Sequence, residues 1–180
     1  MVCDVSLIMT KTKNPFLEDV LEDKAAIFAP GQGEVLPIKG GSITLKITSA
    51  ISNNQIGVYE IALEPGTIGA QLHFHRYMDE TFIVAEGTLT VTHGRIEAKA
   101  AAGSVIYVPR FTPHAFANRS DRRAVLNLIF NPAQNREGFF FGLQRILNAE
   151  KLDQQEFLAL YEKYDSFPVD PKTMLPIKAA

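Results

Sequence analysis

From Ser42 to Phe130, apolar and polar residues alternate along the chain with the two-residue period of half-buried β-strands. In the first run, Ile43 and Leu45 point to one face while the intervening polar residues point to the other. Further short strands are predicted over residues 56–63, 71–75, 80–85, 88–92, 95–98, 104–108, 114–118 and 124–130. Many short strands separated by Gly and Pro turns predict an all-β barrel or sandwich over residues 42–131.

Residues 1–41 precede the strands and are predicted to form an irregular N-terminal arm. Pro15, Pro30 and Pro37 interrupt this segment too often for long regular elements. We expect the arm to wrap the body of the protein or a partner subunit, because exposed sheet edges in small barrels are commonly covered in this way. The sequence therefore predicts a homodimer.

Residues 132–180 follow the strands and are predicted to form a helical extension packed on the barrel. Apolar residues recur at helical spacing over 139–147 and again over 157–161. Such residues usually make core contacts, so we interpret these two stretches as helices rather than as a ligand site. Three more prolines, ending with Pro176, predict an irregular tail.

Composition and charge narrow the class of protein. With 180 residues, 46% of them hydrophobic and 21% charged, the chain fits one globular domain with its own core. Its 18 basic and 20 acidic residues are scattered, which argues against binding to nucleic acid or an anionic membrane. Cys3 is the single cysteine, and the sequence shows neither a membrane span nor a signal-peptide core. We therefore expect a cytoplasmic protein whose partner is a small molecule.

Three of the four histidines lie in two short segments. His73 and His75 are two residues apart on a predicted strand, so their side chains share a face with Cα atoms about 6.5 Å apart and can reach one metal ion. Glu80 follows after a polar connection and can face this pair from the next strand. His114 begins another strand, whereas His93 lies at a predicted hairpin turn and is expected to be solvated. His73, His75 and Glu80 can therefore face one another, and His114 supplies a third histidine from a separate strand.

These residues resemble the two conserved motifs of the cupin superfamily. The first motif is matched by His73-x-His75-x4-Glu80-x6-Gly87. The second motif is matched by Gly103-x5-Pro109-x4-His114-x3-Asn118. Two gapped motifs in the right order are a specific signal, and the resemblance covers residues 42–131. It implies an all-β fold, the cupin double-stranded β-helix or RmlC-like jelly-roll barrel, with the arm and the helices added at its ends.

The resemblance also implies that His73, His75, Glu80 and His114 bind one divalent metal ion. Three imidazoles and one carboxylate suit Fe, Mn, Ni, Co, Cu or Zn, and the order of affinities does not choose among these metals. Four protein donors leave one or two positions for water, substrate or oxygen on a five- or six-coordinate ion. The metal site is therefore expected to have free coordination positions, as catalytic metal sites do.

Phe111 stands where the second motif usually has glycine. We interpret this departure as a backbone conformation within reach of a bulky residue, with a ring that narrows the barrel mouth or packs against it. A set of inward-pointing residues near the metal is predicted to line a substrate pocket: Tyr59, Gln71, Phe82, Phe116 and Phe130. For each of these five, a place in the barrel core is an equally good interpretation.

Three functions are consistent with this sequence. The preferred interpretation, by resemblance to single-domain quercetin-dioxygenase-like cupins, is a metal-dependent dioxygenase, an oxidoreductase acting on a small molecule such as a phenol. The second is a metal-dependent isomerase, lyase or hydrolase in which Glu80, the candidate catalytic residue, moves a proton. The third is a non-catalytic protein that binds a small molecule and carries a structural metal. The ligand set permits redox chemistry without requiring it, so the sequence leaves open whether the protein is an enzyme.

Overall fold

The computed structural model describes residues 25–177. Residues 1–24 of the predicted arm and the last three residues lie outside the described part of the chain. The elements are β1 Glu34–Ile38, β2 Gly41–Ile47, β3 Gly57–Leu63, β4 Ile68–Phe74, β5 Asp79–Glu86, β6 Thr88–His93, β7 Ile96–Ala101, β8 Val105–Val108, β9 His114–Ala117, β10 Ala124–Asn131, α1 Arg136–Leu147, α2 Gln154–Lys163 and β11 Phe167–Pro168. All the strands predicted from alternation form, as β2 to β10, with ends shifted by only a few residues.

The strands build two antiparallel sheets. The first sheet has the order β1-β2-β3-β10-β5-β8, and the second has the order β11-β4-β9-β6-β7. Apolar residues that alternate along each strand fill the space between the sheets, and Phe82, Leu89 and Leu126 are fully buried there. This is the all-β jelly roll that the sequence predicts.

Both ends of the barrel differ from the sequence prediction, because each contributes a strand. In the arm, β1 pairs with β2 and places Leu36 opposite Ile43 in the core. Pro37 is tolerated because β1 is an edge strand, where a missing N–H breaks no ladder hydrogen bond on the open side. In the tail, β11 pairs with His73 and Phe74 of β4 and so extends the second sheet.

The two predicted C-terminal helices are confirmed, and they pack on the barrel. The ring of Phe140 on α1 meets Tyr59 of β3 edge to face, with ring centroids 4.7 Å apart. Phe139 of α1 contacts Tyr161 of α2 in the same way at 5.2 Å, which joins the helices to each other. Asp153 caps the start of helix α2, and its carboxylate accepts hydrogen bonds from two first-turn amides. Neither helix is long and apolar enough to cross a membrane.

Candidate metal centre

The four candidate ligands come from both sheets and meet inside the barrel. His73 lies near the end of β4, directly opposite His114 at the start of β9, and His75 follows β4 by one residue. Glu80, the second residue of β5, projects from the facing sheet. All four are at most 2% exposed, and their ligand atoms lie within 4.8 Å of one another. The structure thus brings together all four candidate metal ligands.

Each of the three imidazoles has a fixed orientation, because its Nδ1–H donates to a backbone carbonyl oxygen. The pairs are His73 with Gln71 (2.8 Å), His114 with Thr112 (2.9 Å) and His75 with Asp165. A carbonyl oxygen only accepts hydrogen bonds, so Nδ1 carries the proton and Nε2 is left with a free lone pair. Metal-binding histidines are commonly oriented by such hydrogen bonds.

The carboxylate of Glu80 approaches two of these nitrogens closely. Its Oε2 lies 3.2 Å from Nε2 of His75 and 2.5 Å from Nε2 of His114. With both Nδ1 atoms protonated, these contacts join acceptors to acceptors, which repel each other unless a cation or a proton lies between them. The chemistry of the donor set therefore fits a bound metal ion.

Burial and mutual electrostatics shift the pKa values of His73, His75 and Glu80. Burial lowers the pKa of His73 well below its ordinary value, and the neighbouring His114 and His75 lower it further. Burial likewise lowers the pKa of His75, against the opposing effect of Glu80. For Glu80, burial alone would raise the pKa, but the charge and hydrogen bonds of His114 and His75, when a proton rather than a cation lies between them and the carboxylate, outweigh burial and hold the pKa well below the ordinary range. Neutral imidazoles and a charged carboxylate are the forms that bind a divalent cation.

Asp165, which the sequence analysis did not identify, stabilises the segment 75–77, here called the ligand loop. It forms hydrogen bonds with this loop through both its backbone and its side chain. Its backbone oxygen accepts the Nδ1–H of His75, and its carboxylate accepts the backbone N–H groups of Arg76 (2.9 Å) and Tyr77 (2.8 Å). It lies just after α2 with a φ of 56°, a backbone conformation that an aspartate tolerates better than most residues. Nothing local in the sequence marks this residue, since its partners lie about 90 positions earlier.

Arg136, also missed, ties α1 to the segment that contains Asp165. Its guanidinium is buried and donates from Nη1 to the backbone oxygen of Tyr164 (2.7 Å) and to the hydroxyl of Ser166 (3.0 Å). It also lies over the ring of Phe139, 3.8 Å from the centroid. Within residues 25–177, its Nε has no hydrogen-bond partner. Arg136 thereby holds Tyr164 and Ser166 in place. These two residues flank Asp165, whose backbone oxygen orients His75.

A cavity of about 380 Å³ lies between the barrel and the two helices, and only some of the predicted pocket residues border it. Phe116 and Gln71 line this cavity. Tyr59, Phe82 and Phe130 lie in the packed core instead. Tyr59 donates its hydroxyl to Glu137 Oε2 (2.8 Å), and the rings of Phe82 and Phe130 lie beside His114 (6.1 Å) and His75 (5.8 Å). Alternation separates inward from outward side chains, but it does not say which inward ones border a cavity.

The expectation for the backbone of Phe111 is wrong, whereas its ring does pack on the barrel, against Phe74. Its φ is 61°, in the left-handed region that bulky residues rarely adopt, and its side chain is 66% exposed. The loop turns back here so that the N–H of Phe111 donates to the backbone oxygen of His75 at 2.7 Å. That hydrogen bond, rather than the side chain, accounts for the conformation. The exposed ring lies over Phe74 at 6.2 Å.

Comparisons with known proteins agree with this architecture. Residues 59–130, which include all four candidate ligands, match the family described as a cupin domain. An uncharacterized protein of Streptomyces coelicolor is 34% identical over 83 residues, which are 46% of this chain and 74% of that protein. A sugar phosphate isomerase from a cupin superfamily of Silicibacter pomeroyi has a TM-score of 0.52 at 23% identity, covering 59% of this chain and 75% of the other. An RmlC-like cupin from Shewanella frigidimarina has a TM-score of 0.53 at 22% identity, covering 63% and 96%. At these identities, the two structures report on fold alone.

Proposed function

This chain belongs to the cupin superfamily, and from that premise we propose that it is a metal-dependent oxidoreductase of the dioxygenase type, acting on a small molecule held beside the four-residue centre. The observation that carries the proposal is the centre itself. Three imidazoles with anchored Nδ1 atoms and one buried carboxylate converge from two sheets. Such a set is well ordered and chemically suited to a divalent transition metal.

His73, His75, Glu80 and His114 would hold the ion. When bound, an ion of Fe, Mn, Ni, Co or Cu supplies Lewis acidity together with the capacity to exchange electrons with oxygen, whereas Zn supplies Lewis acidity alone. Four donors from the protein leave room for substrate or oxygen. In a dioxygenation both atoms of O2 enter the organic product, so the reaction needs no external reductant.

Glu80 is the proposed catalytic residue of the chain. Its pKa is held well below the ordinary value by His114 and His75 despite burial, so it is charged at neutral pH. A charged carboxylate at the centre can accept the proton of a substrate hydroxyl. His73, His75 and His114 serve to hold the centre, and the backbone carbonyl oxygens behind them keep their Nε2 atoms directed inward.

The character of the neighbouring cavity favours a mostly apolar substrate over a phosphorylated sugar. A sugar phosphate requires several hydrogen-bond donors and at least one cation in its site. The polar side chains at the rim are those of Lys39, Gln71 and Gln154, all of them solvent-exposed. The remaining lining is largely apolar, which supports a substrate such as a phenol.

Oxygen uptake by metal-reconstituted protein tests this proposal. Protein loaded separately with Fe, Mn, Ni, Co, Cu or Zn is mixed with a flavonoid or with simpler phenols in an oxygen electrode. We expect uptake with at least one redox-active metal, none with Zn, and none in Glu80→Gln, while His93→Gln at the exposed end of β6 behaves as wild type. Metal-loaded protein that consumes no oxygen with any of these phenols would contradict the dioxygenase proposal.

A further inference from the structure

The cavity between the barrel and the helices is built largely by parts of the chain outside the matched family region. Its volume is about 380 Å³, toward the lower end of the range of about 300–1,000 Å³ for small-molecule sites. One wall comes from the strands and the other from the two helices. The principal side chains are Ile43, Ile61 and Leu63 from the strands and Leu143, Leu147 and Phe157 from the helices. The helices lie beyond residue 130, where the family match ends, so the helical wall of the cavity lies outside the matched region.

One buried polar group borders this apolar space. Tyr161 of α2 lines the cavity and is only 5% exposed. Within residues 25–177 its hydroxyl forms no hydrogen bond and is not fully enclosed, since Arg136 Nε is the one fully enclosed side-chain polar atom without a partner there. Its ring lies edge-on to His73, with centroids 6.1 Å apart, so Tyr161 borders both the cavity and the candidate metal centre. An oxygen atom of a ligand in the cavity would complete the hydrogen bonding of Tyr161.

The charges around the cavity restrict the ligand further. Among the lining residues that the structure describes, the single charged side chain is that of Lys39, which is exposed at the rim. A carboxylate or phosphate on the ligand would therefore enter the interior without a buried partner, which is unfavourable. A small aromatic compound of one or two rings with a single hydroxyl or carbonyl group brings no charge into the cavity. Its oxygen atom can also form a hydrogen bond with Tyr161.

We infer that this cavity binds an uncharged, largely apolar small molecule whose one oxygen-bearing group forms a hydrogen bond with Tyr161. The inference names a substrate class for the proposed oxidoreductase and in that respect rests on it. Binding itself depends on the apolar walls and on the tyrosine hydroxyl, and it is measurable without metal. The position of Tyr161 beside His73 directs the oxygen-bearing end of the ligand toward the four-residue centre.

Three related probes test this inference on the full chain, both chelator-treated and metal-loaded: 2-naphthol, 2-methylnaphthalene and 2-naphthoate. The chain contains no tryptophan, so naphthyl fluorescence reports binding without overlap. We expect 2-naphthol and 2-methylnaphthalene to bind, and 2-naphthoate to bind at least about tenfold more weakly. Tyr161→Phe should weaken 2-naphthol about tenfold, equivalent to about 1.4 kcal/mol, and leave 2-methylnaphthalene within about twofold.

A cavity-filling variant and a matched surface variant locate the site. Ala70 lines the cavity, so Ala70→Leu should abolish binding of both apolar probes. Ala98 is exposed on β7, so Ala98→Leu, the same substitution, should leave binding unchanged. Tyr161→Phe keeps the ring in place and carries the test if Ala70→Leu does not fold, as judged by circular dichroism.

Several results would overturn the inference. These are wild-type binding of 2-naphthol that survives in folded Ala70→Leu, equal affinity for 2-naphthoate, or an equal effect of Tyr161→Phe on both apolar probes. No probe binding to protein that consumes oxygen with a phenol would refute the cavity assignment alone. Probe binding as expected, without oxygen uptake under any metal, would refute the proposed oxidoreductase alone.

Discussion

Replacing Phe111 tests whether its backbone, rather than its side chain, determines the stability of the loop that contacts His75. The φ of Phe111 is 61°, and its N–H donates to the backbone oxygen of His75. The side chain is 66% exposed, so its removal creates no internal cavity. Phe111→Gly and Phe111→Ala remove the same ring, and only glycine relieves the left-handed conformation.

The expected difference between the two variants follows from the backbone. A residue with a Cβ atom pays about 1–2 kcal/mol in the left-handed region. Glycine avoids this cost but gains conformational entropy in the unfolded chain, which offsets about 0.4–1 kcal/mol of it. We therefore expect Phe111→Gly to be more stable than Phe111→Ala by about 1 kcal/mol, or about 2–4 °C in Tm for a chain of this size.

Thermal and urea denaturation of metal-free protein measure this difference. Ala98→Gly on the exposed face of β7 is the control, since glycine in an ordinary strand conformation should destabilise by about 0.5–1 kcal/mol. The two sites should thus respond to glycine with opposite signs. If Phe111→Ala proves as stable as Phe111→Gly, the left-handed strain assigned to this position is absent.

Two further predictions concern the groups around the centre and the start of α1. Asp165→Asn keeps one acceptor for the two amides of the ligand loop, and we expect metal affinity about 10–100-fold weaker in competition with a chelator; unchanged affinity would contradict the role of Asp165. Glu137 is partly buried, which would raise its pKa, but hydrogen bonds from Ser49 and Tyr59 outweigh burial and lower the pKa below its ordinary value of 4.5. Its contribution to stability should therefore be complete above that value and be lost as pH falls through the lowered pKa. Between pH 7 and pH 3, the urea midpoint should decrease less in Glu137→Gln than in wild type. Equal decreases in the two proteins would refute this assignment.

Local patterns were sufficient to predict the strands β2 to β10 and the pair of His73 and His75. The two-residue period depends only on which face of a strand is buried, and it identified β2 to β10 within a few residues. The spacing of His73 and His75 is likewise local, because one strand presents both. His114 and Glu80 were identified from the spacing of the two cupin motifs. That spacing reflects the topology of the barrel in related proteins and does not follow from the local pattern of this sequence.

The remaining features depend on contacts between distant segments. Asp165 and Arg136 act on the ligand loop across the barrel, and no periodicity marks either residue. The strand β1 was missed because Pro37 looked like an interruption, although an edge strand accepts proline. The cavity forms where the two helices pack over the barrel, and Tyr161 is part of its lining. Helical spacing in the sequence predicts the helices but not where they pack.

Metal content is the most direct test of the central claim that His73, His75, Glu80 and His114 form a metal centre. Purified full-length protein is equilibrated with a divalent transition metal, freed of excess ion and subjected to elemental analysis, with folding checked by circular dichroism. We predict one ion per chain for wild type and for His93→Ala, and loss of the ion from His75→Ala and His114→Ala with the barrel still folded. A wild-type protein that retains no ion, or a His75→Ala variant that retains it as tightly, would contradict the account.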